Sequence, residues 1–209
     1  MPMPEIITRL LTAADAAWAA LPEAYQRGGS AWSRADPMVL YGELRRVRSA
    51  RPRFLEWGSG LGVITLLADA LGLPAAGIEF DARLVSAARR LTAETGAAAT
   101  FTHGSFIPPG VDLPADDGDE KECFLFAGDT PSTTHTESGA VSIAPGPPVN
   151  PAEFDLIYAY PAPHHVDWYL DLFTQVAKVG ATLWLYTETA GVLAARKTDA
   201  QTRPKLRPM

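Results

Sequence analysis

The side chains best suited to chemistry gather in one stretch, Arg53-Phe54-Leu55-Glu56-Trp57-Gly58-Ser59-Gly60-Leu61-Gly62-Val63. A short apolar run ends in an acid and opens into three alternating glycines. Glycine admits positive φ and lets a ligand approach the backbone with no Cβ in the way. An apolar helical pattern follows at Ile64, Leu67, Ala68 and Leu71. Strand, glycine turn and helix is the arrangement by which open α/β sheets hold adenosine cofactors at the carboxyl ends of their strands. The spacing selects among them. A dinucleotide turn needs a third glycine or alanine at position 63, where this chain has Val63. A pyrophosphate also prefers amides at a helix N-terminus, whereas Glu56 sets a carboxylate beside the turn, which suits a ligand ammonium.

A second acid stands downstream. Ala75–Phe80 reads as a buried strand ending in Glu79, and Asp81 is an N-cap for a helix over Ala82–Thr95 that stops at Gly96. An acid at that strand tip can accept both hydroxyls of a ribose. Together, Glu56-x-Gly58-x-Gly60-x-Gly62 and Glu79 resemble motif I and the ribose-binding acid of the class I S-adenosylmethionine-dependent methyltransferases. The resemblance implies a three-layer αβα, Rossmann-like fold with a parallel sheet in the order 3-2-1-4-5, and S-adenosyl-L-methionine as cofactor. It assigns Glu56, Gly58, Ser59, Gly60 and Gly62 to the methionine end, Glu79 and Phe80 to the ribose, and Tyr158 to the cofactor's surroundings. Adenine falls to Gly104, Ser105 and Phe106 at the end of a third strand, Ala98–His103. Many relatives carry an acid there, and Ser105 stands in its place.

Phe154–Tyr160 has the near-continuous apolar character of a central parallel strand. It stops at Pro161-Ala162-Pro163-His164-His165, which by resemblance faces the transferred methyl. This ending lacks the Asn/Asp-Pro-Pro-aromatic signature of adenine and glutamine methylation, and looks like a bacterial subgroup whose fourth strand ends Tyr-Pro-x-Pro. Methyl transfer from a sulfonium is an in-line displacement, governed largely by positioning. A base is needed where the nucleophile arrives protonated. His164 and Tyr160 are the catalytic candidates, with His165 and Glu188 beside them. Adjacent histidines point apart on a helix or strand, so one at most faces the site, and no metal is expected.

Further elements position these groups. Helices are expected over Pro4–Leu21, from Asp36-Pro37 to about Arg48, and over Asp167–Lys178 with Gly180 as terminator; Ala181–Thr187 reads as the fifth strand. Residues 1–50 form an N-terminal helical cap, by resemblance placing Trp32 and Tyr41 at a pocket entrance. Residues 51–209 form the cofactor-binding domain. Gly191–Lys197 offers material for one strand of the family's C-terminal antiparallel hairpin, which would leave that hairpin incomplete.

Composition narrows the partners. The net charge of −6 is concentrated in residues 111–150, where eight acids face one base, Lys121. That segment, with five prolines, reads as a flexible acidic insertion, either a lid or a stretch without function. The rest is nearly neutral, so nucleic acid is not an expected partner. A small-molecule or protein methyl acceptor is. No run reaches the ~20 apolar residues of a membrane helix, and the N-terminus lacks a signal-peptide pattern, so a cytoplasmic location is expected. The single cysteine, Cys123, excludes an internal disulfide. Two other readings stay open: a binding or sensing protein that keeps the cofactor pocket without transfer activity, and a nucleotide-dependent oxidoreductase, which Val63 and Glu56 disfavour. Oligomeric state is not legible.

Overall fold

The computed structural model describes residues 4–26, 35–111, 113 and 149–209. Its sheet has seven strands in the order β3-β2-β1-β4-β5-β6-β7. These are β1 (Phe54–Trp57), β2 (Ala75–Glu79), β3 (Thr100–His103), β4 (Leu156–Ala159), β5 (Thr182–Thr187), β6 (Gly191–Arg196) and β7 (Arg207–Pro208). The first five are parallel; β6 runs antiparallel to β5, and β7 antiparallel to β6. β1 and β4 are buried along their whole length, as strands covered on both faces must be. The C-terminal hairpin is therefore complete but short. The sequence pattern shows one of its strands, because a two-residue β7 built on Arg207 and Pro208 has no alternation to read.

The helices are α1 (Glu5–Ala19), α2 (Glu23–Gln26), α3 (Pro37–Val47), α4 (Val63–Ala70), α5 (Ala82–Thr95) and α6 (Val166–Val176). Local chemistry sets their ends. The Asp36 carboxylate accepts from the Met38 amide at 2.8 Å, with Pro37 at the first helical position of α3. The Asp81 carboxylate accepts from Arg83 at 2.7 Å, and Gly96 closes α5 in the left-handed conformation at φ 68°. Gly180 departs from expectation. It turns into β5 at φ 91°, while α6 ends earlier, at Val176. The carbonyls there are satisfied by a long-range cap instead: the buried Lys197 Nζ donates to Thr174 O at 2.5 Å and Ala177 O at 2.7 Å.

α1, α3, α4 and α5 cover one face of the sheet. Ile7, Leu10, Leu40 and Leu44 join Phe54, Leu156, Tyr158 and Trp184 in one core, so the N-terminal helices share the sheet's own hydrophobic interior. The opposite face carries α6 together with Phe106 and Phe154 against Leu55, Trp57, Ile157 and Leu183. The parallel order reverses between β1 and β4, and in such sheets ligands bind at the carboxyl edge beside that switch. No described helix is long and apolar enough to cross a membrane.

Candidate functional site at the carboxyl edge

After β1 the chain turns through Gly58, Gly60 and Gly62 at φ 68°, 55° and 73°, and Gly62 opens α4 as its N-cap residue. The turn crosses β2, with the Ser59 amide donating to Ile78 O at 2.9 Å. A Cβ on Gly77 of β2 would lie 2.7 Å from the Ser59 side chain, so that crossing requires glycine in the strand beneath it. A Cβ on Gly62 would lie 2.2 Å from the Phe101 ring. Gly58 has open space in that direction. Two of these glycines serve packing, and one faces room that a ligand can fill.

Both predicted acids reach this turn. Glu79, 6% exposed at the tip of β2, accepts from the Gly60 amide at 2.8 Å through Oε2 and from the Asp81 amide at 2.8 Å through Oε1. It thereby fixes the turn it was expected to adjoin. Burial pushes its carboxyl up to about 7, against the pull of those amides. Glu56, 5% exposed, accepts from the Thr65 amide and hydroxyl, both through Oε2. Oε1 accepts no hydrogen bond among the described residues. Burial pushes Glu56 up to about 8; its Thr65 bonds oppose the shift and the nearby Glu79 charge adds to it. Burial therefore favours the neutral carboxyl at position 56, the opposite of the plain carboxylate expected there. Neither acid has an ion-pair partner among the described residues.

The remaining predicted residues divide between edge and core. Phe80, next to Glu79, is 37% exposed, and its carbonyl accepts from His103 Nε2 at 2.9 Å. Gly104 follows β3 and has open space around it. Ser105 uses its hydroxyl locally, accepting from the Ile107 amide at 3.1 Å. Phe106 is only 8% exposed: its ring stacks on Trp57 at 5.5 Å and on Tyr169 at 5.6 Å, which commits it to an aromatic core cluster and leaves little face for a base. Ser59 Oγ and Tyr158 OH are buried without a hydrogen-bond partner among the described residues. Tyr158 pairs in register with Glu56, and burial, with Glu56's charge adding, raises its hydroxyl well above the usual tyrosine range.

At the ends of β4 and β5, Tyr160 OH donates to Glu188 Oε1 at 2.8 Å. His164 is exposed while His165 is 3% exposed, although their rings lie 4.0 Å apart. The described residues contain no group of three metal-ligating side chains. Tyr41 is 7% exposed within the core, and Trp32 lies outside the described residues, as does most of the 111–150 insertion. Sequence reasoning missed Gly77, Thr65 and Tyr25. Gly77 carried a signal, a glycine inside a strand. Tyr25 carried none: its hydroxyl donates to Asp81 Oδ2 at 2.6 Å, drawing the N-terminal segment to the same edge.

A candidate caffeoyl-CoA O-methyltransferase from Staphylococcus aureus superposes with a TM-score of 0.50 at 13% identity, over 86% of this chain and 65% of that one. The chain has the class I methyltransferase fold. Methyltransferase PaMTH1 of Podospora anserina, solved with S-adenosylhomocysteine bound, gives 0.48 at 14% identity over 88% of this chain and 62% of that one. An RNA methyltransferase from Salinibacter ruber, also with S-adenosyl-L-homocysteine, gives 0.47 at 17% identity over 73% and 76%. The chain thus spans somewhat less than two thirds of the length of the first two. No protein-family model matches the sequence, and no curated protein matches it.

Proposed function

We propose that this protein is an S-adenosyl-L-methionine-dependent methyltransferase acting on a small-molecule or protein acceptor. One observation carries the reading: two buried acids, neither matched by a cation among the described residues, flank a glycine turn that leaves open space over Gly58. Buried acids of this kind call for a ligand that neutralises or hydrogen-bonds them. A molecule bearing an ammonium and a vicinal diol does both. Glu56 Oε1 is the acceptor for the ammonium, and Glu79 has lone pairs beyond its two amide bonds for the diol. Exposed Phe80 supplies an apolar wall beside the ribose. The residues present fit the group, which when bound supplies an electrophilic methyl on a sulfonium. The chain's part is to bind, orient and exclude water.

Titration calorimetry with S-adenosylhomocysteine, with NADH run in parallel, tests the reading. Micromolar binding of the first alone is expected, weakened at least tenfold in Glu79→Ala. Silence from S-adenosylhomocysteine, or saturable NADH binding in its place, overturns it. The commitment of Phe106 to the Trp57–Tyr169 cluster favours a second reading, a cofactor-binding protein without transfer activity. Any methylated product from labelled cofactor that Gly60→Arg abolishes decides against that second reading.

A further inference from the structure

The residues expected to hold the base are engaged elsewhere: Ser105 bonds the Ile107 amide, and Phe106 stacks on Trp57 and Tyr169. The tips of β2 and β3 offer a different pair, Phe80 and His103. Glu79 and His103 are partners in the parallel register, and the Gly104 amide donates to Glu79 O at 3.0 Å. The end of β3 is thereby fastened to the tip of β2. His103 Nε2 lies 2.9 Å from Phe80 O. A carbonyl only accepts, so Nε2 carries the proton, and in the neutral ring Nδ1 is then an acceptor. That Nδ1 is buried without a hydrogen-bond partner among the described residues. His103 as a whole is only half-buried, Phe80 is 37% exposed, and Gly104 has open space where a Cβ would project.

We propose that Phe80 and His103 form the base subsite, with the Phe80 ring as stacking face and His103 Nδ1 accepting from the exocyclic amine of a 6-aminopurine. This rests on the methyltransferase reading above and deepens it, by moving the base from Ser105 and Phe106 to these two residues. The order of groups along the ligand matches the order of strands along the edge. The ammonium falls to Glu56 on β1, the diol to Glu79 on β2, and the base joined to that ribose to the neighbouring end of β3. A buried acceptor without a donor is costly, and a ligand N–H that reaches it recovers the cost. A 6-oxopurine presents a carbonyl at the same place, so two acceptors face each other and the ligand is rejected. Stacking on an aromatic ring is blind to that difference. His103 therefore sets selectivity, and Phe80 sets affinity.

S-adenosylhomocysteine and S-inosylhomocysteine, which carry an amine and a carbonyl at the same purine carbon, are titrated into the intact protein, with adenosine and inosine in parallel. The adenine member of each pair is expected to bind about tenfold or more tightly. His103→Phe, which keeps a ring and removes both nitrogens, should cut that preference to about threefold or less. His103→Leu should do the same. Phe80→Ala should weaken both members of a pair alike, by about tenfold, and leave the preference in place. Each preference is a ratio of two ligands on one protein, so a loss of folded protein does not imitate it. Equal binding within the pairs, tighter binding of the inosine members, a preference that survives both His103 variants, or affinities untouched by Phe80→Ala overturns the assignment. Adenosine preferred over inosine, with S-adenosylhomocysteine binding no more tightly than adenosine, strikes the methyltransferase reading and leaves the base subsite standing. Silence from all four ligands overturns both.

Discussion

The two edges of the parallel sheet handle charge in opposite ways. At the amino edge the Asp155 carboxylate accepts from the Arg53 amide at 2.8 Å and pairs with Lys178 at 2.6 Å, while Arg53 pairs with Glu153 at 3.2 Å. At the carboxyl edge Glu56 and Glu79 are buried with hydrogen-bond donors but no cation among the described residues. The hydrogen bond from Lys178 and the Arg53 amide hold Asp155 below the usual carboxylate range, whereas burial drives Glu56 and Glu79 up. Charge at the first edge closes the structure on itself. At the second, the two buried acids have no such partner among the described residues. That asymmetry, more than the glycine pattern, marks Glu56 and Glu79 as the candidate site's acids.

A glycine from each edge makes the widest test. Gly62 and Gly72 both lie in the left-handed region, at φ 73° and 87°. Gly72 precedes β2 at the amino edge and has open space where a Cβ would go, whereas Gly62 meets the Phe101 ring at 2.2 Å. Gly72→Ala should therefore cost only the left-handed backbone strain, about 1 kcal/mol, and leave S-adenosylhomocysteine binding intact. Gly62→Ala adds a clash with a core ring and should cost about 2–4 kcal/mol, together with cofactor affinity. Denaturant melts of both variants check the difference. Equal costs would mean that the turn is not wedged against β3.

The next test reads the two acids through pH. A carboxyl raised on folding stabilises the folded protein at low pH, and that stability is lost as pH rises through the folded value. With ordinary values of 4.5, Glu79 at about 7 and Glu56 at about 8 should both erode stability between pH 5 and 7, and Glu56 alone from 7 to 8. Each contributes at most ~1.4 kcal/mol per pH unit. Glu56→Gln should flatten the stability profile between pH 7 and 8 and roughly halve its slope below 7. A cationic ligand should also expel the Glu56 proton, so calorimetry at pH 7 in buffers of different ionisation enthalpy should register proton release. An unchanged slope in Glu56→Gln would return that group to an ordinary acid.

What was legible in the sequence follows from how local each signal is. The α5 caps, Asp81 and Gly96, depend on adjacent residues and were read to the residue. The glycine turn and the acid at the tip of β2 were visible for the same reason. The end of α6 was not, because its carbonyls are capped by Lys197, twenty residues away on the far side of β5. Phe106 illustrates the opposite limit. Its position after β3 suggested a stacking face, but whether a ring turns outward or into Trp57 and Tyr169 is decided by packing between segments some fifty to sixty residues apart. Tyr25 bonds to an acid 56 residues away, which nothing near it in the chain announces, and Thr65 bonds to Glu56 only nine residues before it but belongs to no part of the glycine pattern.

The smallest effect belongs to the amino edge and has the reverse sign. Asp155 is held low by Lys178 and the Arg53 amide, so its contribution is present above the ordinary carboxylate value and is lost as pH falls through the folded one. Its side chain is 44% exposed, so solvent screens the pair, and Asp155→Asn should cost under about 1 kcal/mol at neutral pH. The cost should shrink in high salt, vanish in acid and leave S-adenosylhomocysteine affinity untouched. A variant that lost ligand affinity would show that strain at the starts of β1 and β4 reaches their far ends. Both strands are four residues long and paired in register from Phe54–Leu156 to Trp57–Ala159, so such transmission would have to run through the backbone ladder itself. An unchanged affinity would instead show that the two edges are energetically separate, with the site's acids set by their own burial.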